Sequence, residues 1–176
     1  SINEYSDSSG YYDSKIDPAF ADYYIDVGAG VEEIIDPLAR LSLIINESRK
    51  DLPTIAYLEL GCGYGFGVHY AGDHLGWHAT GIEPGGYGII GRNALGINIH
   101  SQLLGEGSPA DGEHFDVIYA SEVIEHISDP QHFLTTAANH LKDDGVLILT
   151  TPSADFIAHG NPPDQVYAAL FPGEHK

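Results

Sequence analysis

Residues 59–67 read Glu59-Leu60-Gly61-Cys62-Gly63-Tyr64-Gly65-Phe66-Gly67 and follow directly on the apolar run Ile55-Ala56-Tyr57-Leu58. A short apolar run bounded by glycine reads as a buried strand. Glycines at 61, 63, 65 and 67 let the backbone turn sharply and approach a ligand closely, because no Cβ stands in the way. Strand, glycine turn and helix N-terminus in succession describe a nucleotide-type cofactor pocket at the carboxyl end of a parallel sheet. A glycine string alone also fits a plain turn, so the rest of the chain has to decide.

The pattern downstream is one of alternation. A strand is expected over about 54–60 and a helix over about 65–75. Trp77-His78-Ala79-Thr80-Gly81-Ile82 reads as a second strand ending in Glu83-Pro84. A helix over about 86–95 leads to a short strand at 97–100, and the glycine-rich stretch 104–114 reads as a loop. A fourth strand is expected at 115–120, helical segments at 122–127 and 130–141, and a fifth strand at 145–151 closed by Pro152. Strands alternating with helices imply a parallel sheet covered on both faces. Crossover rules and a switch point after the first strand predict the order 3-2-1-4-5. Upstream, Val31, Ile34, Ile35, Leu38, Leu41, Ile44 and Ile45 recur at helical spacing, so residues 31–50 predict an amphipathic helix with Pro37 at its start or at a kink. Three parts result: an N-terminal helical cap (1–53), a cofactor-binding domain (54–152) and a short C-terminal segment (153–176).

Composition narrows the function. The chain of 176 residues has 26 acidic against 7 basic side chains, a net charge of −19. With so few cations and no basic cluster, binding to nucleic acid by phosphate neutralisation is not expected. No apolar stretch approaches the roughly 20 residues that span a bilayer, and the polar N-terminus has no signal-peptide pattern. A cytoplasmic setting without membrane contact is therefore expected. A single cysteine, Cys62, excludes an internal disulfide and reads as a small loop filler. Complete absence of methionine, even at position 1, reads as a piece of a longer gene product or as a trimmed chain.

Four stretches occur in order: Glu59 to Gly65, Gly81-Ile82-Glu83-Pro84, Phe115 to His126, and Leu141 to Pro152. Together they resemble the class I S-adenosylmethionine-dependent methyltransferases, and within them the small-molecule group that includes the ubiquinone-biosynthesis O-methyltransferases. The resemblance covers roughly 54–152 and implies a Rossmann-like doubly wound α/β fold. It implies S-adenosylmethionine as cofactor and a small molecule as methyl acceptor. Gly61, Cys62, Gly63 and Gly65 would then lie against the amino-acid part of the cofactor, and Glu59 would meet its ammonium or orient the loop. Glu83 ends the second strand, where a carboxylate accepts both ribose hydroxyls. The same position serves nicotinamide enzymes, so Glu83 alone does not separate a methyltransferase from an oxidoreductase. The 115–126 stretch favours the methyltransferase. Pro84 and Ser121 would be further cofactor-binding residues, Ser121 beside the expected position of the transferred methyl, and Leu103 would neighbour the adenine ring. The family often has an acidic residue beside the adenine, where this chain offers Ser101 and Gln102.

Ser121-Glu122-Val123-Ile124-Glu125-His126 begins where the fourth strand ends. If helical, it places Glu122, Glu125 and His126 at i, i+3 and i+4 on one face. Three readings stay open. Some relatives hold a divalent metal on such a set, and two carboxylates with an imidazole suit magnesium, manganese or zinc. Alternatively His126, aided by Glu122, is a general base. Or the carboxylates merely favour a helix start. The N-terminal tyrosines read either as a wall over the substrate or as a packed tail. Members of the family continue into a sixth strand and an antiparallel seventh; five parallel strands without these are expected here, leaving a sheet edge for a homodimer or a larger parent chain to cover. A methyltransferase-like module that binds without catalysis is the alternative function.

Overall fold

The computed structural model of the chain describes residues 31–51, 53–105 and 107–153. The expectations for the tyrosine-rich N-terminus and for the segment from residue 154 onward lie outside these residues. The elements run α1 (Val31–Ser48), β1 (Ala56–Leu60), α2 (Phe66–His69) continued by a π-turn (Tyr70–His74), β2 (His78–Ile82), α3 (Gly86–Leu95) and β3 (Ile99–His100). There follow β4 (Phe115–Ser121), a 3-10 turn (Ile124–His126), α4 (Pro130–Asn139) and β5 (Leu141–Thr150). The five strands form one sheet in the order β3-β2-β1-β4-β5. All its pairings are parallel.

β1 and β4 are central and buried on both faces, which is why they read as continuous apolar runs. Alternation along them sorts the core into two layers. Leu58, Leu60, Ile118 and Ala120 point one way and pack with Phe133 and Ala137 of α4. Tyr57, Val117 and Tyr119 point the other way and meet Leu38 and Ile45 of α1. Pro37 lies inside α1, one residue before the fully buried Leu38. No described helix is long and apolar enough to cross a membrane.

Two boundaries differ from expectation. β5 begins at Leu141 rather than Gly145 because the ladder carries a bulge: Phe115 pairs with Leu141, whereas Val117 pairs with Val146. Gly145 makes the bulge possible, since a Cβ there would stand 2.9 Å from the Phe115 carbonyl oxygen. The expected helix at 122–127 does not form. Glu122 adopts φ 55, the only positive φ among the described non-glycine residues, and only a 3-10 turn follows. The cause is β5, because the Glu122 N–H donates to the Thr150 carbonyl at 3.1 Å and extends the parallel pairing past the strand end.

At the amino end of the sheet, Asp116 is 1% exposed. Its Oδ2 accepts from the Ala56 N–H at 2.8 Å and from Lys142 Nζ at 2.8 Å, and Arg49 Nη1 lies 3.5 Å from Oδ1. One carboxylate thus links β1, β4, β5 and the end of α1. Removing one partner of a buried ion pair leaves the others uncompensated. Asp116→Ala is expected to lower unfolding stability by about 3 kcal/mol, read as a lower urea midpoint. A midpoint within error of the native chain would refute the linking role.

Candidate functional site

The site is built at the opposite, carboxyl end of the strands. After β1 the chain reverses, with the N–H groups of Gly61 and Cys62 both donating to the Ile82 carbonyl at 2.8 and 3.2 Å. Gly61, Gly63 and Gly65 take φ of 67, 53 and 80, values that L side chains rarely adopt. Gly65 ends the loop as the residue before α2. A Cβ there would also press on the Cδ1 atoms of Ile97 and Ile99, at 2.5 and 2.6 Å. α3 closes on this loop through glycines as well. A Cβ on Gly91 would land on the Tyr64 carbonyl, and one on Gly88 would stand 2.8 Å from Glu83 Cβ.

Glu83, 7% exposed at the end of β2, joins the two turns. Its Oε2 accepts from the Gly63 N–H at 3.0 Å and its Oε1 from the Gly85 N–H at 2.8 Å. These two amides set the direction of the carboxylate, and the next residue, Pro84, lines an open apolar pocket. Leu60, Gly61, Ile82, Pro84, Leu103 and Leu104 form one side, and Val123, Ile127, Phe133, Thr136 and Ala137 the other. Expected residues Gly61, Pro84 and Leu103 therefore meet at one cavity, whereas Ser101 and Gln102 do not line it. Cys62 reaches the loop only with its backbone. Its side chain packs with Val68 and Ile99, and burial holds the thiol well above its usual range.

Glu59 lies on the other face, 4% exposed. It accepts from the Tyr57 hydroxyl at 3.0 Å, and its carboxyl rests where a Cβ on Gly67 would be. Desolvation pushes this carboxyl up to about 8; the Tyr57 hydrogen bond pulls it down and Glu83 adds to the rise. Glu59 is thus protonated at neutral pH. Tyr119 is its register partner across β4.

Ser121 ends β4, and its Oγ lies 2.7 Å from Thr150 Oγ1 on β5. Thr150 Oγ1 also donates to Glu122 Oε1, and Thr151 Oγ1 to Glu125 Oε2, each at 3.3 Å. Burial raises the Glu122 carboxyl, with Glu125 adding to the rise. The metal expectation for Glu122, Glu125 and His126 is corrected here. Among the described residues no three His, Cys, Asp or Glu side chains are grouped to hold a metal ion. The left-handed turn at Glu122 breaks the continuous helix that the expected face required, while the Thr150 and Thr151 hydroxyls donate to Glu122 and Glu125.

Several contributors escaped the sequence reading. Phe133, Thr136 and Ala137 come from α4, and nothing local marks them as cavity wall. Gly85, Gly88 and Gly91 recur every third residue along α3, a spacing that signals close approach. Tyr57 and Tyr119 read only as core.

Residues 22–175 match the model of a family described as a methyltransferase domain. A ubiquinone biosynthesis O-methyltransferase of Rhizobium johnstonii is 27% identical over 110 residues, which cover 60% of this chain and 44% of that protein. A ubiquinone biosynthesis O-methyltransferase of Caulobacter vibrioides is 32% identical over 114 residues, covering 59% and 43%. The chain thus spans less than half the length of these relatives. The plantazolicin methyltransferase BpumL in complex with SAH superposes with a TM-score of 0.69 at 17% identity, over 92% of this chain and 65% of that one. SAM-bound CalS10, an amino pentose methyltransferase from Micromonospora echinaspora, gives a TM-score of 0.56 at 19% identity, over 78% and 57%. At such identities the likeness shows the fold.

The Glu59 environment has a pH signature. In the unfolded chain its carboxyl ionises near 4.5, and in the folded chain near 8. Between these values the native state holds a proton that the unfolded state has lost, so this term makes stability fall as pH rises through that window. Glu59→Gln removes the term while keeping a partner for Tyr57. The melting temperature of the variant is expected to gain on the native chain between pH 6 and pH 8. Parallel pH profiles would show that Glu59 is already ionised at pH 6.

Proposed function

This chain belongs to the methyltransferase-domain family, and from that premise we propose that it transfers a methyl group from S-adenosylmethionine to a small-molecule acceptor. The observation that carries the reading is the Glu83 carboxylate, held by the Gly63 and Gly85 amides directly before Pro84, which lines the apolar pocket. A carboxylate offers about four lone-pair sites and accepts paired ribose hydroxyls. The cavity beside it, walled by Leu103, Val123 and Phe133, suits a flat heteroaromatic base. Gly61 and Gly63 bring bare backbone alongside.

S-adenosylmethionine supplies an activated methyl: the acceptor's lone pair forms the new bond to carbon, the carbon–sulfur bond breaks, and its electron pair stays on sulfur. The chain's own part is to bind and align, which is where proximity contributes most. Glu122 stands at the end of β4 with its carboxyl raised, so it is placed to take the proton an O–H or N–H acceptor releases. His126 in the following turn is the second candidate base. Gly61, Gly63 and Gly65, with Glu59 and Ser121, border the amino-acid end; Cys62 contributes there through its backbone. An excess of 26 acidic over 7 basic residues favours a neutral or cationic small acceptor over a nucleic acid. The buried free thiol of Cys62 suits a reducing, cytoplasmic setting.

Calorimetric titration with S-adenosylhomocysteine tests this. The native chain is expected to bind, and Glu83→Ala to bind at least tenfold more weakly, with a melting measurement to verify that the variant folds. No binding by the native chain would overturn the reading and leave the domain as an interaction module.

A further inference from the structure

Between Gly61 and Gly65 the turn after β1 carries only two side chains, those of Cys62 and Tyr64. Cys62 points into the core, against Val68 and Ile99. Its half of the turn is also pinned by backbone, because the Gly61 and Cys62 amides donate to the Ile82 carbonyl and the Gly65 amide to the Cys62 carbonyl. The outer half, Gly63-Tyr64, reaches Glu83 Oε2 through the Gly63 N–H. A segment so rich in glycine is costly to order, and Tyr64 is the one side chain placed to anchor it. Its ring meets that of Tyr87, in the first turn of α3, edge to face, with centroids 5.0 Å apart and planes at 84°. On its other side it lies 6.1 Å from the ring of Phe66 at the start of α2. Aromatic pairs in these geometries attract beyond the area they bury. Phe66 is buried, while Tyr64 and Tyr87 are half-buried, so the row of rings runs outward from the core.

Tyr87 bears on the same carboxylate from the second turn. Gly85 donates to Glu83 Oε1 at 2.8 Å, and a Cβ on Gly85 would stand 2.9 Å from that oxygen and 3.9 Å from Tyr87 Cδ2. Tyr64 follows the residue whose amide holds Oε2, and Tyr87 stands two places after the residue whose amide holds Oε1. Contact between the two rings therefore ties together the two amides that fix Glu83. The backbone permits it, since the absence of a Cβ at Gly91 lets α3 close on the Tyr64 carbonyl. A Cβ on Gly63 would meet nothing within 4 Å, so a ligand has room beside the turn at that point.

We infer that the Tyr64–Tyr87 ring pair is the positioning element of the ribose site, keeping the Gly63 and Gly85 amides on Glu83 so that its carboxylate can accept the cofactor's paired ribose hydroxyls. This rests on the proposed use of S-adenosylmethionine. Both tyrosines act through Glu83, by ring contact and not by their hydroxyls.

The test is calorimetric titration of Tyr64→Ala, Tyr87→Ala, the double variant and the two Phe variants. The ligands are S-adenosylhomocysteine and its 2′,3′-dideoxy analogue, which lacks the hydroxyls. The native chain is expected to favour S-adenosylhomocysteine by about tenfold or more. Each Ala variant is expected to bind S-adenosylhomocysteine about fivefold more weakly and the dideoxy analogue as the native chain does. The double variant is expected to lose no more than either single one, because each change alone already breaks the pair. The Phe variants are expected to match the native chain. Unchanged affinities, an equal loss for both ligands, additive losses in the double variant, or Phe variants as weak as the Ala variants would each overturn the assignment. So would Ala variants that no longer melt cooperatively, which would assign the pair to folding. A native chain that binds neither ligand would instead overturn the cofactor reading itself, and one that binds both equally would overturn the part given to Glu83.

Discussion

A single buried carboxylate, Asp116, holds the amino end of this sheet together. It receives the first amide of β1 and the cations of Arg49 and Lys142. Without those cations a dry carboxylate would be prohibitively costly, and with them it fixes where α1 and β5 sit against the two central strands. The demand is notable in a chain with only 7 basic residues. Arg49 also binds Asp144 through its guanidinium, so the scarce positive charge is concentrated at the end of the sheet remote from the glycine turn.

That polarity shapes the carboxyl end. There the strands finish in Glu59, Glu83 and Glu122, and the described lysines and arginines are committed elsewhere. Glu83 is stabilised by backbone amides, which supply partial positive charge without a side chain. Glu59 has only a hydroxyl and is protonated instead. The two carboxyls therefore coexist because one gives up its charge, the usual outcome when acidic groups share a dry site. A cationic ligand arriving there meets both a fixed anion and a carboxyl able to become one.

Close backbone packing is the second constraint. The turn after β1, the start of α3 and the carboxylate of Glu83 occupy a space that side chains at Gly65, Gly88 or Gly91 would fill. The cost of ordering so flexible a segment is offset by the hydrogen bonds that the turn makes to β2. Glu122 bears a different strain. A left-handed backbone at a glutamate is unfavourable, and here it is imposed by continued pairing with β5. Its effect is to lift the carboxylate off the strand and onto Thr150.

Much of this was legible from the chain alone. The apolar runs at β1 and β4, the glycine turn and the alternation with helices depend on local spacing, and local spacing survives folding. Strand order followed from handedness and crossover rules that hold for any right-twisted parallel sheet. Glu83 was visible because it follows an apolar strand directly. What local patterns could not contain was decided by long-range contact. The helix expected at 122–127 has ordinary helical spacing, yet a hydrogen bond to Thr150, far along the chain, overrode it. The cavity wall from α4 and the raised carboxyl of Glu59 are consequences of burial. Burial belongs to the packed layers and not to any residue, so only the tertiary structure could assign it.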